Sequence, residues 1–279
     1  MLRALIWDVD GTLAETEHDG HRPAFNQAFA DEGLPWQWDE ALYGELLAVT
    51  GGKERIAHWW QRWDPVAASA PGAAVAIRHL HALKTAHYVA RVQQGQVALR
   101  PGVRRLLIEA RAAGLTLAIA TTTSPDNVAA LLQATLGPDS PGWFAVVGAG
   151  DVVPAKKPAP DVYHWVRQRL GLRADQCLAL EDSAVGARAA VAAGLATVVT
   201  RSRYTAQDVL PPVLADLDNL GSHERPACGL ALGRPWRGLV DVHRLQVWAR
   251  LGQAQTGSDG PGRGQPYPVD EKGSSFLAA

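Results

Sequence analysis

The sequence predicts an α/β protein: an open parallel sheet with helices on both faces, interrupted by an inserted α-helical cap. Three observations carry this. Short apolar runs bounded by turn residues alternate with helical patterns, the rhythm of β–α units. A stretch of about ninety residues after the first run breaks that rhythm and shows almost no strand signal. Four small polar clusters each fall just after a predicted strand, and ligands of open α/β sheets bind beyond the carboxyl ends of strands.

Residues 2–7 are short, mostly apolar and end in the acidic DVDG, so they read as a buried strand entering a loop. Residues 103–113 have helical periodicity and stop at Gly114, a C-cap signal. A strand follows at 115–120, then a helix at 125–136 with Ser124 as N-cap and Gly137 as terminator. The same alternation gives a strand at 143–147, a helix at 161–170 closed by Gly171, and a strand at 177–180. A helix at 185–193 closed by Gly194 and a strand at 196–199 complete it. Inside the inserted stretch, Ala24/Ala28 and Phe25/Phe29 sit at i, i+4, and Trp59, Trp60 and Trp63 lie at i, i+1, i+4. These tryptophans read as cap core, and Trp36 and Trp38 as packing at a helix start. A long helix is expected over 79–97, with return to the sheet through Arg100-Pro101-Gly102. Near the end, 242–251 reads as a short helix, and 252–279, with GSDGPGRG and few apolar residues, as disordered. The expected division is a core of 1–14 and 100–221, a cap of 15–99, a C-terminal extension of 222–251 and a tail of 252–279.

Composition narrows the function. The chain has 279 residues, with 27 Lys+Arg against 28 Asp+Glu and a net charge of −1, which excludes bulk electrostatic capture of nucleic acid or anionic membrane. The only cysteines, Cys177 and Cys228, are far apart, giving neither a disulfide framework nor a zinc cluster, and Cys177 reads as core. The N-terminus lacks the apolar region of a signal peptide, and no run approaches the ~18 apolar residues of a membrane span. A soluble, cytoplasmic, monomeric protein with a small-molecule partner is expected.

The polar clusters carry the chemistry. Asp8, Asp10 and Asp182 repel one another unless a cation sits among them, and hard oxygen ligands suit Mg²⁺. Thr121 offers a hydroxyl and Lys157 a positive point charge, the groups that hold a phosphoryl group. A carboxylate facing such a group can attack it, and a second carboxylate two residues on can serve as acid and base. Taken singly, each cluster has a plainer reading: Glu181-Asp182-Ser183 as a helix cap, Lys156-Lys157-Pro158 as a solvated loop, 121–124 as a strand end with a cap. Gly51-Gly52-Lys53 is no P-loop, because position 47 is Leu and Glu54 follows the lysine. Gly148-Ala149-Gly150 lacks the third glycine of a dinucleotide loop.

Together and in order, DVDGT at 8–12, ATTTS at 120–124, KKPAPD at 156–161 and ED at 181–182 resemble the four motifs of the haloacid dehalogenase-like phosphohydrolases. The resemblance spans residues 2–220 and implies a Rossmann-like core. It implies Asp8 as nucleophile, Asp10 as general acid/base, and Thr121, Thr122 and Lys157 on the transferring phosphoryl group. Lys157 is chosen over Lys156 because it immediately precedes the proline. Mg²⁺ would be held by Asp8, the Asp10 carbonyl and Asp182, with Glu181 in support. The cap segments ETEHDGHRPAFNQAF, WQWDEALYGELLAVTGGKERI and LKTAHYV resemble the CbbY-type phosphatases of carbon-fixing bacteria, which act on xylulose 1,5-bisphosphate, a Calvin-cycle inhibitor of Rubisco. In layout the segment also resembles β-phosphoglucomutase. By that resemblance His21, Lys53, Arg55 and Lys84 handle substrate. A bisphosphate would place its second phosphate ~6–8 Å or more from the first, where basic groups can pair with it. Glu17, Tyr43 and the loop 50–53 are then candidates for hydroxyl contacts or cap closure, and Gly51 and Gly52 for a backbone nest. His87 is a further site candidate, while His58, His79 and His81 read as exposed helix residues. A sugar-phosphate mutase, a phosphoglycolate phosphatase and a non-catalytic metabolite-binding regulator are the alternatives. The intact Asp8, Asp10, Thr121, Lys157 and Asp182 argue against the last.

Overall fold

Central apolar strands buried on both faces build the middle of the sheet, as a covered parallel sheet requires. The computed structural model describes residues 1–258. All four residues of β1 (Ala4–Trp7) are buried, and β1 pairs in parallel with β2 (Thr116–Ala120) on one side and β4 (Cys177–Glu181) on the other. Next to β2 lies β3 (Phe144–Gly148), and beyond β4 lie β5 (Ala196–Thr200) and the three-residue β6 (Ala215–Leu217), all parallel. The chain therefore moves outward from β1 in both directions. The loops leaving β1, β2 and β4 open a crevice at that switch point. Helices α6 (Val103–Ala112), α7 (Pro125–Leu136), α8 (Asp161–Leu170) and α9 (Ala184–Ala192) cover the faces, with Ser124 capping α7 and Ser183 capping α9.

The C-terminal segment adds strands that the sequence reading did not mark. An antiparallel hairpin, β7 (Ala227–Ala231) and β8 (Arg234–Gly238), extends the sheet. Helix α10 (Val242–Ser258) then packs Leu245 and Trp248 into the main core, Trp248 edge-on to Trp236 at 5.1 Å. The helix passes through Gly252, so disorder does not begin there; residues 259–279 of the expected tail lie outside the described residues. No helix among the described residues is long and apolar enough to cross a membrane.

Between β1 and α6 the chain is helical: α1 (Arg22–Asp31), α2 (Glu40–Leu46), α3 (Gly52–Trp63), α4 (Pro65–Ala68) and α5 (Ala73–Gln93). The Asp39 side chain accepts from Leu42 N–H at 2.8 Å and starts α2. A separate aromatic core of Phe25, Phe29, Trp36, Trp38, Tyr43 and Trp59 holds these helices. Most of its rings meet tilted or edge-on at 4.7–6.3 Å, contacts worth about 0.5–1.5 kcal/mol each beyond area burial. Trp63, expected in this core, lies at the last turn of α3 and is 53% exposed. The two chain crossings into the helical part run side by side, with bridges between Asp10 and Ala14 and between Ala14 and Leu99.

Candidate active site

The polar clusters that follow β1, β2, β3 and β4 do meet. Asp8 begins the loop after β1, its N–H donating to Leu180 O at 2.9 Å. Gly11 has φ +81°, and a Cβ there would collide with the Asp182 carboxylate, so only glycine lets this loop pass the β4 end. Lys157 reaches in from the loop after β3, with a cis bond to Pro158. Its ammonium uses all three protons: Asp8 Oδ1 at 2.7 Å, Glu181 Oε1 at 2.6 Å and Ala120 O at 2.9 Å. Thr12 Oγ1 donates to the other Asp8 oxygen at 3.2 Å.

Burial drives the electrostatics. It lifts Asp8 to about 7, Glu181 and Asp10 adding to the lift and Lys157 opposing it. Asp182 is held well above the usual carboxylate range by burial and by Asp8 and Glu181. Burial works against the Lys157 charge, yet Asp8 and Glu181 hold that lysine above its ordinary value. Oxygens of Asp8, Glu181 and Asp182 lie within 4.8 Å of one another, all buried. One lysine facing three buried carboxylates leaves negative charge uncompensated, and an all-oxygen donor set of this kind fits a hard divalent cation.

Asp10 turns the other way, toward the helical part. Its Oδ1 accepts from Thr16 Oγ1 at 2.6 Å and pairs with His21 Nε2 at 2.8 Å. The next contact fixes the His21 tautomer. Lys84 Nζ lies 2.8 Å from His21 Nδ1, and an ammonium can only donate. Nδ1 is then the acceptor, and Nε2 carries the proton given to Asp10. Burial tends to raise Asp10, but the hydrogen bonds from His21 and Thr16, with the Lys84 charge behind the ring, take it down to about 2. Burial brings Lys84 down to about 8, against the pull of Glu17 and Asp10. Its ammonium sits over the Phe25 and Tyr88 rings at 4.8 and 5.4 Å.

Two adjoining cavities of about 150 and 500 Å³ lie between core and helices, sharing Asp10, Glu17, Gly51, Arg55 and Thr122. The smaller also takes His21, Gly52, Lys53 and Lys84; the larger takes Asp8, Lys157, Glu181 and Asp182. Of the expected substrate residues, Tyr43 is instead wholly buried behind Glu17: its hydroxyl donates to Glu17 Oε2 at 2.5 Å and accepts from Arg55 Nη1 at 2.9 Å. It orients those two side chains and offers no free hydroxyl. Lys53 bonds to Asp151 across the cleft. Thr121 is buried beneath Thr122, its Oγ1 accepting from Thr123 N–H at 3.3 Å. His87 is outside the site: it points to Asp31 of α1, 2.6 Å away. His81 takes the place expected for it, lining the smaller cavity, where burial and the charges of Lys84 and Lys53 push it down to about 4.

Two other residues at the site were not singled out as site residues from the sequence. Lys156 lines the smaller cavity and pairs with Glu54 at 2.9 Å and Asp151 at 3.0 Å. Tyr163 on α8 is buried and donates to Glu181 Oε1, the oxygen that also meets Lys157. Its signal is faint, an aromatic hydroxyl on an apolar helix face that needs a partner when buried.

A family model of haloacid dehalogenase-like hydrolases matches residues 2–194, and the chain belongs to that family. It is 50% identical over 247 residues to protein CbbY (plasmid) of Cupriavidus necator, covering 88% of this chain and 96% of that protein. It is 38% identical over 221 residues to a CBBY-like protein of Arabidopsis thaliana, covering 78% and 69%. A crystal structure of a CbbY mutant from Rhodobacter sphaeroides in complex with xylulose-(1,5)bisphosphate superposes with a TM-score of 0.73 at 44% identity, covering 80% of this chain and 98% of that one.

Proposed function

We propose that the protein is a Mg²⁺-dependent phosphatase that hydrolyses xylulose 1,5-bisphosphate through a phosphoryl group carried on Asp8. The observation that carries this is the joining, in one cleft, of the Asp8–Lys157 centre with the cap cations Lys53, Arg55 and Lys84. A ligand with phosphates at both ends of a short sugar chain matches two separated sets of positive groups. The bisphosphate complex of the CbbY mutant from Rhodobacter sphaeroides supports the same substrate. Residues 15–99 are then the cap, and Asp8 and Asp182, with the Asp10 carbonyl and with Glu181 beside them, would hold the metal. Bound there, Mg²⁺ supplies positive charge that draws phosphoryl oxygens toward Asp8 and offsets charge as the ester bond breaks.

In the first step an Asp8 oxygen attacks phosphorus and the sugar oxygen leaves with a proton from Asp10. Lys157, released from neutralising Asp8, balances the charge on the phosphoryl oxygens. In the second step Asp10 takes a proton from water, the water oxygen attacks phosphorus, and Asp8 is restored. Asp10 rests ionised, so the proton it gives is relayed: Lys84 passes one to His21 Nδ1 as His21 Nε2 passes its own to Asp10, and the proton Asp10 takes from water returns along the same path. As pH rises through about 8, Lys84 loses its charge. Activity on the bisphosphate should fall above that pH, and Lys84→Arg, whose guanidinium keeps both its charge and its protons, should turn over more slowly and lack this fall. An identical alkaline limb in both enzymes would contradict the assignment.

A phosphate-release screen tests the substrate. It should include xylulose 1,5-bisphosphate, ribulose 1,5-bisphosphate, phosphoglycolate and glucose 1-phosphate. Fastest release is expected from xylulose 1,5-bisphosphate. Preference for phosphoglycolate would remove the bisphosphate reading, and interconversion of sugar 1- and 6-phosphates without release would make the enzyme a mutase.

A further inference from the structure

Arg100 is the first core residue after the cap, and it is buried. Its guanidinium binds carbonyls from three separate segments. Nη1 donates to Gly11 O at 2.5 Å, Thr200 O at 2.6 Å and Thr200 Oγ1 at 3.1 Å. Nη2 donates to Arg201 O at 2.5 Å and Asp218 O at 2.9 Å. Nε faces Glu15 Oε1 at 3.1 Å, and the Arg100 N–H donates to Leu13 O at 2.8 Å. Every guanidinium proton is used, in a fork that a lysine cannot reproduce.

The segments it joins are not arbitrary. Gly11 follows Asp10 and passes against the Asp182 carboxylate. Beyond Arg201 come Ser202 and Thr205; Thr205 Oγ1 donates to Asp182 Oδ2 at 3.4 Å. Glu15 lies on the outgoing crossing to the cap, and Arg100 on the returning one. One side chain thus ties the loop of Asp8 and Asp10, the turn beside Asp182 and both cap crossings into a single unit.

We infer that Arg100 is a positioning residue for the reaction: it sets Asp10 and Asp182 in register and couples that register to the cap crossings through Glu15. This rests on the phosphatase reading above. A shift of about 1 Å in a reacting group can cost ~10²-fold, so the effect belongs in kcat.

The test uses the full chain carrying Arg100→Lys. Relative to wild type, kcat should fall about 10- to 100-fold with KM within about threefold. Amide exchange, read without substrate, should accelerate in peptides covering 9–15 and 200–205 while β1 and β4 keep their protection. Wild-type kcat, or uniform acceleration across the sheet with a kcat loss equal to the unfolded fraction, would overturn the inference. Glu15→Gln leaves every carbonyl contact of Arg100 in place and covers the case in which Arg100→Lys does not fold. It should melt like wild type, lose about 3- to 10-fold in kcat and exchange faster at 9–15; unchanged kcat and exchange would overturn the coupling. Should wild type itself release no phosphate from any ester, the phosphatase reading fails, and the exchange pattern still decides the role of Arg100.

Discussion

On the proposed mechanism Asp8→Asn should lower turnover by at least about 10⁴-fold, because it exchanges the attacking carboxylate for an amide. An amide oxygen at this position is a poor nucleophile, yet it keeps the size of the carboxylate. Lys157 keeps two of its three partners, Glu181 Oε1 and Ala120 O, so the loop after β3 should stay in place. The variant also loses one of three buried carboxylates that repel one another. It should therefore fold at least as well as wild type in the absence of metal. Phosphate release by a stopped assay and thermal melting together check this. Normal turnover in the variant would exclude a phosphoryl group on Asp8.

Lys157→Met should be damaging twice over. The ammonium is the sole cation touching Asp8 and Glu181 among the described residues. Without it two buried carboxylates face each other unpaired, and breaking a buried pair from one side costs about 3–5 kcal/mol. Loss of the charge proposed to meet the phosphoryl oxygens should lower kcat by a further ~10²–10³-fold in the molecules that remain folded. Sharing the cost between protonation and unfolding, Asp8 should rise above its value of about 7, so the variant should be more stable at pH 6 than at pH 8. The sign follows from protons bound: the folded state then holds a proton that the unfolded carboxylate releases near its model value of 3.8. Melting at the two pH values checks the stability claim. A variant that melts like wild type at pH 8 would contradict it.

The sheet and the core site were legible because strand ends leave local marks. Each of Asp8, Thr121, Lys157 and Asp182 follows an apolar run, and a parallel sheet brings such positions to one edge. What stayed hidden depends on packing between distant segments. Helix α5 buries Leu80, Lys84, Tyr88 and Val92 at four-residue spacing, so both neighbouring histidines look equally placed. Only the position of α1 turns His87 to Asp31 and leaves His81 at the cavity. Tyr163 and Arg100 reveal themselves through partners 18 and about a hundred residues away. Strand β8 reads RPWRG, charged and proline-bearing, which suits a sheet edge and carries no apolar alternation to mark it. The polar end of α10 looks like a tail until the helix is seen to run through it.

The central claim is that the cap cations and the Asp8 centre grip the two ends of one molecule. It is tested most directly by comparing kcat/KM for xylulose 1,5-bisphosphate with that for xylulose carrying a single phosphate, in the presence of Mg²⁺. Two charge-assisted contacts to the second phosphate, at about 1.5–3 kcal/mol each, predict a preference of at least ~10²-fold for the bisphosphate, lost in Arg55→Met. Equal efficiency on the two substrates, or a preference that survives in Arg55→Met and Lys84→Met alike, would contradict it.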